Sequence, residues 1–195
     1  VGLVAAACFS EMGNEVTCVD VNENKISNLK NGIIPIYEPG LESLVKNNQI
    51  KKRLLFSTNI NDALSNSEII FIAVGTPSRR GDGHADLSYV YSAARDIAKS
   101  LNKYAVIVNK STVPIGTGKK VFDIVKKIKP KLEFDVASNP EFLREGSAIN
   151  DLENPDRILI GGDDDFSIEI LEEIYCKWVP REKIIKTNLW SSESV

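Results

Sequence analysis

The chain is poor in the side chains that build metal centres and disulfide frameworks. Its 195 residues include one histidine, His84, and three cysteines, Cys8, Cys18 and Cys176, with no short repeated spacing. Metal sites need clustered ligands, so we expect no metal. An odd, scattered set of thiols suits a reducing compartment better than a disulfide framework. We therefore expect a cytoplasmic protein whose cysteines are small buried hydrophobic side chains.

The chain also lacks a large excess of charge and a long apolar run. Its 24 Lys and Arg residues are set against 27 Asp and Glu residues, which leaves a net charge of −3. That mild charge gives no electrostatic reason to expect nucleic acid or an anionic membrane as a partner. No apolar run approaches the roughly 20 residues that span a bilayer, and no signal peptide is evident. The composition is that of an ordinary soluble globular protein.

Apolar runs alternate with helix-like stretches along the whole chain. Continuous apolar runs are typical of parallel strands that are covered on both faces. We expect strands at 15–20, 53–58, 68–74, 104–111, 134–139 and 156–162, and helices at about 2–13, 22–31, 40–48, 86–102, 115–129 and 163–177. The Gly- and Asp-rich segment 78–86 is predicted to be a loop. The pattern predicts one α/β domain over residues 1–195 with a doubly wound, Rossmann-like, mainly parallel sheet.

The first helix and the strand after it are arranged like the second half of a dinucleotide-binding unit. The helix "VGLVAAACFSEMG" is small and apolar and ends at Gly13, and the following strand ends in Asp20. An acid at that place bonds the ribose hydroxyls of NAD, and it would repel the 2′-phosphate of NADP. Lys25, one helical turn further on, could reach a phosphate or the adenine, or stand in solvent. An ordinary aspartate between strand and loop explains Asp20 about equally well.

Two further predicted strands end in small and hydroxyl-bearing residues. "VGTP" (74–77) ends one strand, and "KSTVPIGTG" (110–118) ends the next. In open α/β sheets, ligands bind outside the carboxyl ends of the strands, where small residues let a cofactor approach the backbone. Simple turns with helix-stopping prolines would give similar segments. A third such segment, "SNPEF", at another strand end favours a shared site.

The segment "SNPEFLREGSAIND" (138–151) holds two glutamates four residues apart. Asn139 is a good helix cap, and Pro140 is favoured at a first helical position. We therefore expect a helix to begin here, with Glu141 and Glu145 on one face. Two nearby carboxylates could serve acid–base chemistry. Acids in a first helical turn also complement the helix dipole, and the spacing alone favours that plainer explanation.

Several separated motifs together resemble the UDP-glucose/GDP-mannose dehydrogenase family. They are "VGTPS…DGHADLSYV", "KSTVPIGTG", "SNPEFLREGSAI" and "NPDRILIGGD". The motifs "PIYEPGLE", "FSTNINDA", "WVPREKI" and "TNLWSSE" resemble the UDP-glucose enzymes within that family. The likeness covers nearly the whole chain, but only the family's N-terminal, NAD-binding domain. It implies a four-electron oxidation of UDP-glucose to UDP-glucuronate, with NAD as cofactor, through a thioester on a cysteine.

The resemblance also implies roles for individual residues. The cofactor-binding positions would be Val1, Gly2, Asp20, Lys25, Val74, Gly75, Thr76, Ser111, Thr112 and Glu145. The substrate-binding positions would be Glu141, Phe142, Leu143, Arg144 and Glu145. Thr112, Glu141 and Glu145 would be catalytic, with Thr112 holding the water and Glu141 acting as the base for thioester hydrolysis.

The resemblance further implies that parts of the family's fold lie outside these residues. The chain begins with Val1 in an apolar run and stops without a cap, so both ends look cut. We expect the first sheet strand, the glycine-rich turn except Gly2, the nucleophilic cysteine, the central helix and the UDP-sugar domain to be absent. The intact protein would be a homo-oligomer, and this piece alone would be inactive. A dehydrogenase of a UDP-N-acetyl sugar or GDP-mannose, or a non-catalytic nucleotide-binding remnant, is an open alternative.

Overall fold

A computed structural model describes residues 1–79, 81 and 83–194, so the predicted loop 78–86 lies partly outside the described residues. The helices are α1 (Gly2–Glu11), α2 (Glu23–Lys30), α3 (Leu41–Ile50), α4 (Ile60–Leu64), α5 (Ser88–Ser100), α6 (Thr117–Ile128), α7 (Ala148–Glu153), α8 (Asp165–Tyr175) and α9 (Leu189–Ser192), with a 3-10 helix at Arg181–Lys183. The strands are β1 (Val16–Val19), β2 (Leu54–Ser57), β3 (Ile69–Ile72), β4 (Val106–Asn109), β5 (Asp135–Ser138), β6 (Ile158–Gly162) and β7 (Ile184–Thr187). The alternation of strands and helices confirms the predicted α/β class.

The strands form two sheet segments. Strands β1 and β2 pair in parallel, with Val16 opposite Leu54. The other segment has the order β3-β4-β5-β6-β7, and all its neighbours are parallel except the antiparallel pair β5–β6. The mainly parallel sheet is therefore confirmed. Among the described residues no ladder joins β1 to β3, so the expected break in the sheet is present.

Helix α1 packs against both sheet segments. Its Ala7 and Cys8 lie in one core cluster with Leu54 of β2, whereas its Phe9 lies in another cluster with Val108 of β4. A helix that is apolar all around is suited to burial on several sides. Gly13 follows the helix with φ of 95°, the left-handed conformation that glycine favours after a helix end. Because α1 packs against both segments, it fixes the position of β1 relative to β3 and β4.

The elements that the sequence did not predict are short. They are α4, α7, α9 and β7, each of four to six residues, and the three-residue 3-10 helix at Arg181–Lys183. Short helices are marginal by themselves and form where tertiary packing supports them. In the part of the chain that the structure describes, no helix is long and apolar enough to cross a membrane.

Gly161 in β6 allows α9 to pack directly against the sheet. A Cβ added at Gly161 would overlap Ser192 Oγ and Cβ and would lie 2.9 Å from the Asn188 carbonyl oxygen. We expect Gly161→Ala to destabilise the fold by about 1–3 kcal/mol or more. In a domain of this size that lowers Tm by roughly 2–4 °C for each kcal/mol, which thermal unfolding can measure.

Gly75→Ala is the matched control for this prediction, because an added Cβ at Gly75 would meet no atom within 4 Å. Equal Tm values for the two variants would contradict the packing of α9 on β6.

Candidate active site

Asp20 follows β1 directly, as predicted, and both oxygens of its carboxylate have hydrogen-bond partners within the chain. Its Oδ1 accepts a hydrogen bond from the Asn22 amide (3.0 Å), and its Oδ2 pairs with Lys25 Nζ at 2.5 Å. Partial burial raises the pKa of Asp20, but the Lys25 ammonium and the Asn22 amide outweigh it and hold that pKa below its usual range. The structure thus pairs Lys25 with Asp20, a contact that the sequence interpretation did not anticipate. A ribose bound here would share the carboxylate with Lys25.

The start of α1 lies beside the end of β3. A Cβ added at Gly2 would lie 3.3 Å from Ala73 Cβ and 3.4 Å from the Ala73 carbonyl oxygen, so the close approach favours glycine. Val1 precedes the helix and is 46% exposed. The N-terminal amides of a helix are well placed to bind phosphate. Val1 and Gly2 are therefore brought next to the turn that contains Val74 and Gly75.

The turns after β3 and β4 are tied to each other. Ser111 Oγ donates to the Val74 carbonyl oxygen (2.6 Å), and Thr76 Oγ1 donates to the Thr112 carbonyl oxygen (3.3 Å). These contacts confirm that the two predicted strand ends are neighbours. Gly75 is exposed, and the space in which its Cβ would stand is open. The two turns thus form one surface that a flat ligand can approach closely.

No helix begins at Asn139, so the prediction that Glu141 and Glu145 share one helical face is wrong. The Asn139 side chain is buried, where its Nδ2 donates to the Leu159 carbonyl oxygen (2.9 Å) and its Oδ1 accepts from the Tyr175 hydroxyl (2.5 Å). A carboxamide that ties β5 to β6 and α8 cannot also cap a helix. Residues 139–144 are irregular, 145–147 form a turn, and α7 begins only at Ala148.

The side chains of residues 141–145 make separate local contacts. Glu141 Oε2 accepts from the Leu143 amide (3.0 Å). Phe142 is 42% exposed, and the Arg157 guanidinium lies 5.1 Å from its ring centroid. Arg144 forms a two-pronged ion pair with Asp151, whereas Glu145 is exposed. Because β4 and β5 are parallel neighbours, with Asn109 opposite Ser138, Thr112 and Glu141 follow adjacent strand ends.

Lys110 is a buried cation between these two strand ends that the sequence interpretation missed. It is 2% exposed, and its Nζ donates to the Asn139 carbonyl oxygen at 3.4 Å. Burial lowers the pKa of Lys110 to about 8, although the negative charge of Glu141 opposes that shift. A lysine inside the apolar strand run "YAVIVNKS" was the available sequence signal.

Two surface grooves lie away from these strand ends. One of about 390 Å³ runs beside β2, and one of about 780 Å³ runs along residues 32–43. Neither groove is lined by Gly75, Thr112 or Glu141. The chemistry of the strand ends, and not an enclosed cavity, therefore identifies the candidate site.

These features together define a class of protein. An acid after β1, a helix that starts with glycine beside β3, and hydroxyl-bearing turns after β3 and β4 are the parts of a doubly wound dinucleotide-binding domain. The sequence model of the UDP-glucose/GDP-mannose dehydrogenase family, NAD binding domain, matches residues 1–179. The chain belongs to that family, and NAD is the cofactor of the domain.

Individual relatives agree with the family assignment. A UDP-glucose 6-dehydrogenase of Rhizobium meliloti is 55% identical over 177 residues, which are 90% of this chain and 40% of the relative. The solved UDP-glucose dehydrogenase of Pyrobaculum islandicum has a TM-score of 0.93 at 38% identity, over 98% of this chain and 45% of that chain. A GDP-mannose dehydrogenase of Pseudomonas aeruginosa has a TM-score of 0.91 at 37% identity, over 99% of this chain and 45% of that chain. The chain thus spans less than half the length of these relatives.

The residues at the strand ends fit NAD. The space over Gly75 is open, because a Cβ added there would meet no atom within 4 Å. The start of α1 at Gly2 lies close to Ala73, two residues before Gly75. The Asp20 carboxylate is partly exposed at the end of β1, where an acid can bond ribose hydroxyls. When bound, NAD supplies the hydride acceptor.

Proposed function

We propose that this chain is the NAD-binding part of a UDP-glucose 6-dehydrogenase, which oxidises UDP-glucose to UDP-glucuronate with two molecules of NAD. The observation that carries the proposal is the arrangement of Thr112 and Glu141 after adjacent parallel strands, β4 and β5, next to the turn with Gly75. The 55% identity with the Rhizobium meliloti enzyme favours UDP-glucose as the substrate.

On the cofactor side, we assign the binding of the adenosine ribose to Asp20, and Lys25 would be the basic residue near that end of NAD. Both residues already form one hydrogen-bonded unit. The other residues of the cofactor side would line NAD at the start of α1 and at the two tied turns; they are Val1, Gly2, Val74, Gly75, Thr76, Ser111 and Thr112, with Glu145 near the nicotinamide.

On the substrate side, we assign the hydrolytic base to Glu141 and the holding of the attacking water to Thr112. A carboxylate that removes a proton from water contributes typically about 10²–10⁴-fold to a rate. Glu145 would lie between cofactor and sugar, and Phe142, Leu143 and Arg144 would contact the sugar through backbone and apolar atoms. Because the expected helix is absent, these roles rest on adjacent strand ends and not on helical spacing.

Two of the three thiols of the chain do not suit the nucleophile of this reaction. Burial raises the pKa of Cys8 to about 12 and that of Cys18 to about 11. A thiol must be deprotonated to attack an aldehyde, and buried thiols are inert for that reason. Cys176 follows α8 and packs against the apolar cluster of β4 and β6. In line with the family resemblance, the proposal places the nucleophilic cysteine outside residues 1–195.

An assay of the full reading frame tests the proposed function. The intact protein should reduce two NAD per UDP-glucose and should use UDP-N-acetyl sugars and GDP-mannose poorly. Preference for another nucleotide sugar would favour the sibling dehydrogenase, which is a real alternative because the GDP-mannose enzyme has nearly the same TM-score. Lack of turnover with all of them would favour a non-catalytic remnant. Sedimentation of the same protein tests whether it is a homo-oligomer.

Gly75→Ala should weaken NAD binding without destabilising the fold. The added methyl group meets no protein atom within 4 Å, so its effect falls on the ligand that approaches this turn. We expect the Kd for NAD to rise roughly tenfold, which corresponds to about 1.4 kcal/mol. Calorimetric titration measures the Kd, and an unchanged value would show that NAD does not approach the backbone here.

A further inference from the structure

We propose that Glu38 is a positioning residue of the candidate site, because its carboxylate holds the segment 141–149 in place from 108 residues away. The inference rests on the proposed function, since it assigns Glu38 the task of orienting residues that would contact the sugar. Glu38 belongs to the motif "PIYEPGLE", for which neither the cofactor side nor the substrate side above gives a role.

The backbone of Glu38 is itself fixed by a tight turn. The Leu41 amide donates to the Glu38 carbonyl oxygen (3.1 Å), Pro39 is the second residue of the turn, and Gly40 has φ of 84° and ψ of −9°. Those angles, with proline before glycine, are those of a type II turn. Leu41 then begins α3 and is fully buried in the core. Glu38 therefore projects from an anchored position.

The Glu38 carboxylate binds two amides at the start of α7. Its Oε2 accepts from the Gly146 amide (3.0 Å), and its Oε1 accepts more weakly from the Ile149 amide (3.4 Å). Ser147, at the N-cap position, makes no side-chain cap of its own. The distant glutamate thus replaces the local cap, and two oxygens on two amides define an orientation as well as a distance.

The other hydrogen bonds that the described residues of this segment make stay within residues 139–154. Arg144 binds Asp151 through its amide, Nε and guanidinium nitrogen, at 2.9, 3.1 and 2.6 Å, which shapes the loop internally. Among the described residues, the hydrogen bonds that join residues 141–149 to a part of the chain outside 139–154 are those to Glu38. Apolar packing holds the segment as well, because Ala148 and Leu152 lie in the core cluster with α1 and α3, and Leu143 packs against that cluster. The hydrogen bonds to Glu38 add a directional contact at the Gly146 backbone, which apolar packing does not provide.

Gly146 is the residue through which the hydrogen bonds to Glu38 affect the candidate site. It follows Glu145 directly and has φ of 81°, so the chain reverses there in a left-handed conformation. A misplacement of about 1 Å in a substrate-positioning segment can cost on the order of 10²-fold in rate. Loss of the hydrogen bonds to Glu38 should therefore reduce catalysis. The Kd for NAD should change little, because Glu145 is the one residue assigned to the cofactor that lies in this segment, whereas Asp20 and Gly75 lie on other elements.

The test compares Glu38→Ala and Glu38→Gln with Glu42→Ala in the full-length protein. Glu42 is the matched control because it is an exposed glutamate in the first turn of α3. We expect Glu38→Ala to lower kcat/KM for UDP-glucose by about 10- to 100-fold, to leave the Kd for NAD within about twofold, and to speed amide hydrogen exchange at Gly146 and Ile149. Glu38→Gln should recover part of the activity, because its amide oxygen can still accept one of the two hydrogen bonds.

The outcomes separate this inference from the proposed function. A wild-type protein that does not oxidise UDP-glucose overturns the proposed function. Amide exchange at Gly146 and Ile149 in Glu38→Ala then tests, independently of activity, whether Glu38 holds this segment. An active wild type with unchanged kcat/KM in Glu38→Ala overturns the positioning role. Equal losses of NAD affinity and of kcat/KM in both Glu38 variants would also overturn it, because they indicate general destabilisation.

Discussion

Glu141→Gln in the full-length protein is expected to slow thioester hydrolysis by about 10²–10⁴-fold, with a much smaller effect on the first hydride transfer. The reason is that only hydrolysis needs a base to remove a proton from water. Glutamine keeps the shape of Glu141 and can still accept from the Leu143 amide, which Glu141 Oε2 contacts at 3.0 Å. The variant should therefore fold normally and accumulate a covalent adduct with the substrate.

Rapid-mixing measurements of NADH formation distinguish the two steps, and mass spectrometry of the stopped reaction detects the adduct. Glu169→Gln is a suitable control, because Glu169 is exposed on α8 and lies outside the candidate site. Equal slowing of both hydride transfers and hydrolysis would indicate that Glu141 binds substrate and is not the base.

Lys110→Met is expected to stabilise the protein at neutral pH. Lys110 is 2% exposed, and burial lowers its pKa from 10.5 to about 8. The unfolded chain binds the proton more tightly, so the cost to folding is fully present below about pH 8 and disappears as the pH rises toward 10.5. At about 1.36 kcal/mol per pKa unit, the full cost is on the order of 3 kcal/mol.

Unfolding measurements of Lys110→Met and the wild type at about pH 7, 8.5 and 10 check this prediction, because these values span the range between the two pKa values of Lys110. The gain of the variant should be largest at pH 7 and should shrink steadily toward pH 10. Lys119→Met is the control, because the Lys119 side chain is 71% exposed and its removal should cause no such trend. A methionine variant that is less stable by the same amount at every pH would show that Lys110 contributes by packing and hydrogen bonding.

Much of the fold could be predicted from the sequence because its signals are local. Each predicted strand is present, although the structure shortens it, as with Val106–Asn109 in place of 104–111. β7 was missed because its "IIKT" is short and half exposed, and the strand is recognisable mainly by its ladder with β6. Helix α9 was missed because it has four residues and depends on the space over Gly161.

The candidate site was predictable where it follows a strand. The hydrogen bonds from Ser111 to Val74 and from Thr76 to Thr112 join the two turns that the strand-end argument had paired. The argument failed at Asn139, where a strong local cap signal was overridden by the buried hydrogen bonds of the carboxamide to Leu159 and Tyr175. Asn-Pro before a glutamate predicts a helix only if the asparagine side chain is free to cap it.

The sequence by itself determined the α/β class, the mainly parallel sheet and the strand-end positions of Asp20, Thr76 and Thr112. Those features depend on the hydrophobic period of short segments and on the rule that parallel strands end at a common edge. Only the tertiary structure decided how residues 139–149 fold. Their conformation depends on partners that are 36 residues away in the case of Asn139 and Tyr175 and 108 residues away in the case of Gly146 and Glu38. No local pattern encodes such contacts, because they exist only once α3, α8 and β5 have packed together.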